Sequence, residues 1–496
     1  MRRFTTDSFV FVCLSACLPG TRAMRRYLSV TFVAMLLVCC AAVAQTPKLV
    51  VRNAHIMTMA KDQREPIVGY ISVAADGTIL AVAAGEPPAS LHAGKVIDAQ
   101  GDYLIPGFIS AHSHIWQAAW RGLAEDKTTP PWVRDLYSGH AIRAMPEDLY
   151  WFCLLGSLDH LEHGITTAFD FALNRGAVSN KDNDYDKAQF RAKVDSGIRF
   201  EHAYSPGLGG APGTPVVPGT PGAPGTPDGM DIARARLKAF LDWTATQPHN
   251  TQFLRLMLSG AAAGGEPYGA GTLMKEFHIG NEIHYLEAPD NEAKQRSTFA
   301  AMDASGILSP DLFFGHFIHT DDYILQETAK AGAGMSWQPL SNGRLASGVA
   351  DIPKYLKMGI RVGMGVDGEA SADLADPFEN MRSGLYAIRD KYEDAGIMSP
   401  YQVMWLHTMG SADVMGIKDK VGSLEPGKFG DFLLINPARL GVALEDPYAN
   451  LVFVAGQRDI DSIYVGGEML VDHGKILHQD FAKAQAETAK RVAAIK

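Results

Sequence analysis

Two histidines separated by one residue, His112 and His114, end the apolar run YLIPGFISAHSH at residues 103–114. The run predicts a short buried strand, and side chains two residues apart on a strand point to the same face. Both imidazoles would therefore leave the strand end together, where one cation could bind both. An isolated pair of this kind also occurs in ordinary polar loops, so the pair alone does not establish a metal site.

Further polar residues follow later apolar runs, namely His284, Glu287, His316 and Asp367. If these runs are the strands of one barrel, their carboxyl ends share a rim, and chemistry is located there. Three imidazoles and a carboxylate suit a borderline divalent ion, which activates a water molecule as a nucleophile. Glu287 follows His284 by three residues, so it could reach over the ion without binding it and could shuttle protons.

The middle of the chain, residues 104–420, alternates apolar runs with amphipathic helical patterns such as 146–163. This alternation predicts an α/β fold, a (β/α)8 barrel. A doubly wound sheet is the alternative, but no glycine-rich phosphate loop follows the first strand. The strand candidates are 104–112, 165–171, 198–204, 253–260, 282–288, 312–319, 332–339 and 360–368.

Both ends of the chain read as short strands with turns, over 45–103 and 421–480. They predict one small β-sandwich domain assembled from the two ends.

Residues 205–229 are rich in proline and glycine and contain PGTP three times. Because glycine does not recur strictly at every third position, we expect a solvated loop and not a collagen helix. The loop would follow the third strand near the barrel mouth, as an inert insertion or as a lid.

The first 44 residues predict an export signal. From Met24 a basic start, an apolar run and the small residues 42–44 precede Gln45. Met24 is therefore the expected start, with cleavage after Ala44 and export to the periplasm or the medium. Two alternatives are a lipoprotein anchor at Cys39 or Cys40, and a cytosolic protein with an apolar N-terminal helix.

Composition limits the possible partners. The 496 residues are 47% hydrophobic and 20% charged, which is typical of a globular protein. The net charge of −10 argues against nucleic acid and against an anionic membrane surface. We therefore expect a small-molecule substrate, and a homo-oligomer is compatible with the predicted fold.

Four motifs carry a family resemblance: PGFISAHSH, HYLEAPDNE, GHFIHTDD and GVDGEAS. In this order they closely resemble the amidohydrolase superfamily, in its aminohydrolase branch of cytosine-deaminase-like and triazine-hydrolase-like enzymes. The resemblance implies one metal ion and catalytic residues that act around it. The implied ligands are His112, His114, His284 and Asp367, and the implied catalytic residues are Glu287, His316 and Asp367.

The resemblance also bears on the metal. Binuclear members of the superfamily carry a carboxylated lysine at the end of the fourth strand, and 253–260 does not end in lysine. A single divalent ion per chain is therefore expected. Zinc is the first choice, while iron and manganese suit the same ligands.

Four residues are expected to contact substrate. The resemblance implies Gln117 and Arg121, because enzymes of this family often use the loop after the first motif to hydrogen-bond the substrate. Trp116 and Trp337 are expected because aromatic residues near a barrel mouth can stack on a planar ring. Trp337 stands where many relatives have a histidine, and KTTPPW at 127–132 also departs from the usual pattern. The reaction expected is hydrolysis of a C–N or C–Cl bond of a nitrogen heterocycle or cyclic amidine. Two alternatives remain. The first is an enzyme that hydrolyses an amide, a cyclic urea or a peptide. The second is a homologue that binds a metal or a ligand without catalysis.

Overall fold

The computed structural model describes residues 46–173, 180, 182–206, 227–248, 251–259, 267–441 and 446–495. Residues Pro47–Lys496 form one compact unit. The predicted export signal at 1–44 and most of the predicted insertion at 205–229 lie outside the described residues. Among the helices that the structure describes, none combines the length and the apolar character needed to cross a membrane.

The strands of the described residues are numbered in chain order. They are β1 (Leu49–Ile56), β2 (Ile67–Val73), β3 (Ile79–Ala84), β4 (Lys95–Asp98), β5 (Tyr103–Pro106), β6 (Phe108–His114), β7 (Ile165–Phe171), β8 (Arg199–Tyr204), β9 (Phe253–Ser259), β10 (Gly280–Tyr285), β11 (Leu312–His316), β12 (Gly334–Trp337), β13 (Arg361–Met364), β14 (Asp367–Gly368), β15 (Phe432–Ile435), β16 (Ile460–Val465), β17 (Glu468–Asp472) and β18 (Lys475–Ile476).

The α-helices follow the same alternation. They are Thr129–Val133, Pro146–Glu162, Asp184–Ser196, Pro227–Thr244, Pro267–Phe277, Glu292–Ala304, Asp322–Ala331, Pro339–Arg344, Ile352–Lys357, Pro377–Tyr392, Pro400–Trp405, Ser411–Val414, Pro447–Ala449 and Phe481–Ile495.

Strands β6 to β14 form a closed parallel barrel. Each strand from β6 to β13 pairs in parallel with the next, and β14 returns to pair with β6. Since only residues 365–366 separate β13 from β14, these two segments together occupy the eighth strand position. The (β/α)8 barrel predicted from the sequence is therefore confirmed, and every predicted strand stretch contributes to it.

The barrel strands are apolar because side chains on both of their faces are buried. Inside the barrel, Ile109, Phe169, Met257 and Phe313 pack into one cluster. Outside it, residues such as Phe152 of the helix Pro146–Glu162 belong to the larger core between strands and helices. Each fully buried side chain of this size contributes about 1.5–3 kcal/mol relative to an exposed one. The scaffold that holds the strand ends is therefore rigid.

The second sheet is built from both ends of the chain, in the order β18-β17-β16-β15-β5-β1-β2-β3, with β4 on β1. It has a core of its own, which includes Val51, Ile71 and the stacked rings of Phe432 and Tyr464. A bridge between Thr78 and Phe429 brings the start of β3 back towards β15. The sheet thus folds over its own core, as a sandwich requires.

The strand predicted over 104–112 is two strands. Tyr103–Pro106 pairs with β1 and β15 of the end sheet, whereas Phe108–His114 starts the barrel. Gly107 separates them: its N–H donates to Asp431 O at 3.0 Å, and Thr166 leaves no space for a Cβ there. One apolar run therefore serves both sheets.

Candidate metal centre

Barrel strand ends bring His112, His114, His284 and Asp367 together. The Nε2 atoms of His114 and His284 lie 3.1 Å apart. Asp367 Oδ1 lies 3.5 Å from Nε2 of His112 and 3.5 Å from Nε2 of His114. The sequence-predicted ligand set therefore converges on one point at the carboxyl rim of the barrel.

Burial keeps two of these imidazoles neutral. It lowers the pKa of His114 to about 3, and burial together with His112 and His114 lowers the pKa of His284 well below its usual range. Neutral imidazoles are the form that binds a metal. Burial alone would raise the pKa of Asp367, but the neighbouring imidazoles, His112 foremost, hold it well below its usual range. The site thus offers nitrogen lone pairs and one carboxylate.

The separation of the imidazole nitrogens suits a bound zinc ion. Nitrogen ligands of zinc lie about 2.0–2.1 Å from the ion, so two of them can approach each other as closely as the 3.1 Å between Nε2 of His114 and Nε2 of His284. The Nε2 atom of His112 is buried and has no hydrogen-bond partner among the described residues. A divalent ion would satisfy this atom, so the donor set suits zinc binding.

Glu282, which the sequence analysis missed, contacts the other nitrogen of His112. Its Oε1 accepts from Nδ1 of His112, and both side chains are fully buried. Burial would lower the pKa of His112, but the charges of Glu282 and Asp367 outweigh it and raise that pKa. The same two carboxylates favour a cation at this place. Because Glu282 fixes Nδ1–H, it leaves Nε2 of His112 available for the metal.

Asp367 uses its two oxygens differently. Oδ1, the atom near the imidazoles, also accepts from Gly368 N at 2.7 Å. Oδ2 accepts from Ser341 Oγ at 2.5 Å and lies 3.9 Å from His316 Nε2. This division suits a carboxylate that ligates through Oδ1 and accepts a proton at Oδ2.

Glu287 and His316 face each other beside this centre. Glu287 Oε2 lies 3.9 Å from His316 Nε2. Asn342 Oδ1 accepts from His316 Nδ1 at 2.8 Å, which leaves Nε2 of His316 facing Glu287 and Asp367. Both His316 (φ 68°) and Asp367 (φ 61°) have left-handed backbones, a strain that is typical of functional positions. Six predicted ligating and catalytic residues thus share one site.

Residues 127–137, which begin with KTTPPW, supply two further residues that sequence reasoning missed. Thr129 Oγ1 donates to Glu287 Oε1 at 3.1 Å. The ring of Tyr137 packs against Trp116 with centroids 5.3 Å apart. Burial, followed by the charge of Asp367, raises the pKa of Tyr137, and Glu287 acts in the same direction. The carboxylates of Asp367 and Glu287 therefore both disfavour the ionised form of Tyr137.

The residues predicted to contact substrate have mixed surroundings. Gln117 is fully buried, and a hydrogen bond between its side chain and Tyr137 opposes the rise in the pKa of that phenol. Arg121 forms ion pairs with Glu369 and, at 3.0 Å, with Asp159. These two positions stay predictions as substrate contacts.

The two predicted aromatic contacts are packed in the core. Trp116 is buried, and its Nε1 donates to Phe171 O at 3.1 Å. Trp337 is 1% exposed, and a Cβ added at Gly384 would lie 2.5 Å from its ring, so the ring packs against the helix Pro377–Tyr392. Their role in substrate binding is still a prediction.

The sequence matches known proteins along most of its length. A 5-methylthioadenosine/S-adenosylhomocysteine deaminase of Pelotomaculum thermopropionicum is 26% identical over 451 residues, covering 89% of this chain and 98% of the relative. A 5′-deoxyadenosine deaminase of Methanobrevibacter smithii is 25% identical over 417 residues, covering 81% of this chain and 88% of the relative.

Solved structures share the fold. An adenosine deaminase from Xanthomonas campestris with bound zinc gives a TM-score of 0.75 at 19% identity, covering 91% of this chain and 99% of that one. An atrazine chlorohydrolase from Arthrobacter aurescens TC1 complexed with zinc gives a TM-score of 0.75 at 22% identity, and the match covers 90% of this chain and 100% of that one. Residues 103–470 match the model of the Amidohydrolase family. The chain therefore belongs to the amidohydrolase family and is a metal-dependent hydrolase of C–N bonds other than peptide bonds.

Proposed function

We propose that this protein is a mononuclear zinc deaminase that releases ammonia from an amino-substituted, planar nitrogen heterocycle. The observation that carries the proposal is the pairing of a four-residue ligand set with Glu287 and His316, whose Oε2 and Nε2 atoms lie 3.9 Å apart. A protein that only stores a metal needs neither residue. Glu287 and His316 are both of a type that transfers protons in hydrolytic reactions.

Zinc bound by the ligand set would supply a water molecule of lowered pKa as the nucleophile. His316 accepts the first proton of this water at Nε2, and the resulting imidazolium stabilises negative charge on the tetrahedral carbon's oxygen. Glu287 takes that proton from His316 and delivers it to the ring nitrogen. Asp367 accepts the second proton of the same oxygen at Oδ2, the atom that faces His316, and this proton passes through Glu287 to the departing amine. The products are a ring carbonyl and ammonia.

Adenosine derivatives are the first substrate class to test. The relatives named above act, by their names, on adenosines with modified 5′ positions. The adenine amino group is bonded to a C=N carbon of a planar ring, which the proposed chemistry requires. Free adenine, guanine, aminopyrimidines, aminotriazines and chlorotriazines complete the panel.

The test is ammonia release by the full chain loaded with zinc, measured across this panel. We expect release from one ring class, together with one zinc per chain. Chloride release from chlorotriazines alone, or a carboxylate product without ammonia, would contradict deamination.

Glu287→Gln provides the variant control. It keeps the shape of the side chain but removes its proton transfer, so turnover should fall at least about 10²-fold with zinc content unchanged. Glu292→Gln is the matched surface control, because Glu292 pairs with Arg296 at 2.7 Å. Near-normal turnover of Glu287→Gln would refute the proposed role.

We also propose that the protein is exported. Support comes from the basic, apolar and small-residue order of residues 24–44. After expression with its leader, the protein recovered outside the cytoplasm should have the mass of a chain that begins at Gln45. Recovery of uncleaved protein from the cytoplasm alone would contradict export.

A further inference from the structure

Glu287 is held from one side by a residue of the loop that follows the first barrel strand. Thr129 Oγ1 lies 3.1 Å from Glu287 Oε1 and 3.2 Å from Ser347 Oγ. Thr129 is 8% exposed, and the Glu287 side chain is 13% exposed. Since the carboxylate can only accept, the hydroxyl of Thr129 must donate to it, and Ser347 can donate to Thr129 in turn.

The same short network reaches His316. Ser347 N donates to Asn342 O at 2.8 Å, and Asn342 Oδ1 accepts from His316 Nδ1. The two proposed proton-transfer residues are therefore connected through Thr129, Ser347 and Asn342. Because Thr129 contacts Glu287 directly, a displacement of Thr129 would change the orientation of the Glu287 carboxylate before it affected His316.

The loop that presents Thr129 is itself fixed. Thr129 opens the helix Thr129–Val133, whose prolines 130 and 131 restrict the backbone at the first turn. Trp132 Nε1 donates to Ala370 O at 2.8 Å, three residues beyond Asp367. The hydroxyl is thus held by a rigid turn that is anchored to the eighth barrel strand position.

We infer that Thr129 is a positioning residue that occupies Oε1 of Glu287 and leaves Oε2 as the atom that transfers protons. Oε2 is the oxygen that faces His316 Nε2, which agrees with this assignment. The inference rests on the proposed function, because it gives Glu287 an orientation for the chemistry described there. Thr129 needs no contact with substrate to act in this way.

Thr129→Val tests the inference, because valine keeps the branched shape and removes the hydroxyl. We expect kcat to fall about tenfold, as for loss of one hydrogen bond to a charged group, while KM changes less than about twofold. Thr129→Ser, which retains the hydroxyl, should restore most of kcat. Thr128→Val, at the neighbouring position, is the matched control and should behave as wild type.

Zinc content and the thermal midpoint of each variant separate positioning from damage to the fold. If Thr129→Val does not fold, Ser347→Ala should still lower kcat, by a smaller factor. Unchanged kcat in Thr129→Val, or a raised KM at constant kcat, would overturn the inference. If Glu287→Gln is inactive while Thr129→Val equals wild type, only this inference fails. If Glu287→Gln is active, the proposed function fails.

Discussion

Glu282 is the residue whose importance was least visible in the sequence. It lies two positions before His284 on β10, so both side chains point into the barrel. Its carboxylate contacts Nδ1 of the predicted ligand His112 from β6, the ring nitrogen opposite the one that would bind a metal. A carboxylate behind a ligating imidazole fixes the ring and makes it a better donor. We therefore expect Glu282 to control how tightly the ion is held.

Glu282→Gln should weaken zinc binding by about 10–100-fold. The amide oxygen of the substituted side chain could still accept from Nδ1 of His112, so the loss reports the missing negative charge. The measurement is competition for zinc against a chelator of known affinity. Glu201→Gln is the matched control: Glu201 is equally buried, burial raises its pKa to about 8, and neither of its carboxylate oxygens hydrogen-bonds to a described residue. Equal zinc affinity in wild type and both variants would contradict the expected role.

The sequence could single out the six residues that share this site because each follows an apolar run and is of a type that binds metals or transfers protons. It did not predict Glu282, Thr129, Ser341 or Tyr137. Glu282 could have been found from its spacing, because a residue two positions before His284 on the same strand points to the same face. The contacts of Thr129 and Tyr137 depend on the path of a loop, and that of Ser341 on a helix from a different strand end. Pairings of this kind arise from tertiary packing, which local sequence does not encode.

At the scale of elements, the barrel strands position the site residues at their carboxyl ends, where the backbone leaves the regular strand conformation. β11 ends at His316, which has a positive φ, and the residue before it is Gly315. A Cβ at Gly315 would lie 2.9 Å from Glu282 Oε1 and 2.9 Å from His112 Cε1. The strand therefore needs glycine here so that a buried carboxylate and a ligand ring can meet. Local strand geometry and metal-site geometry are decided by the same residue.

The elements were predictable wherever an apolar run lies between helical patterns, which is why all eight barrel strands were found. The division at Gly107 was not predictable in this way. Leu104 and Ile105 pair with Leu434 and Leu433 of β15, which lies far along the chain. Both sheets require apolar residues, so composition and periodicity do not change where the chain passes from one to the other.

At the scale of the molecule, one buried ion pair joins the barrel to the end sheet. Arg199 of β8 donates from Nε to Asp431 Oδ2 at 2.6 Å and from Nη2 to Oδ1 at 3.0 Å. Its guanidinium also lies 3.7 Å from the ring centroid of Phe429. Asp431 directly precedes β15 and accepts from Gly466 N at 2.7 Å. The bidentate pair thus ties the base of a barrel strand to two segments of the second sheet.

Arg199→Met should destabilise the whole protein. Side-chain exposure is 1% for Arg199 and 3% for Asp431, so the substitution leaves a buried carboxylate without its partner, at a cost of about 3–5 kcal/mol. Arg52→Met is the control, since Arg52 and Asp98 are 39% and 38% exposed and such pairs contribute only about 0–1 kcal/mol. We expect a clearly lower thermal midpoint for Arg199→Met at a fixed heating rate, and a midpoint close to wild type for Arg52→Met. Equal shifts would show that the junction does not depend on this pair, and that apolar packing between the barrel and the end sheet is sufficient.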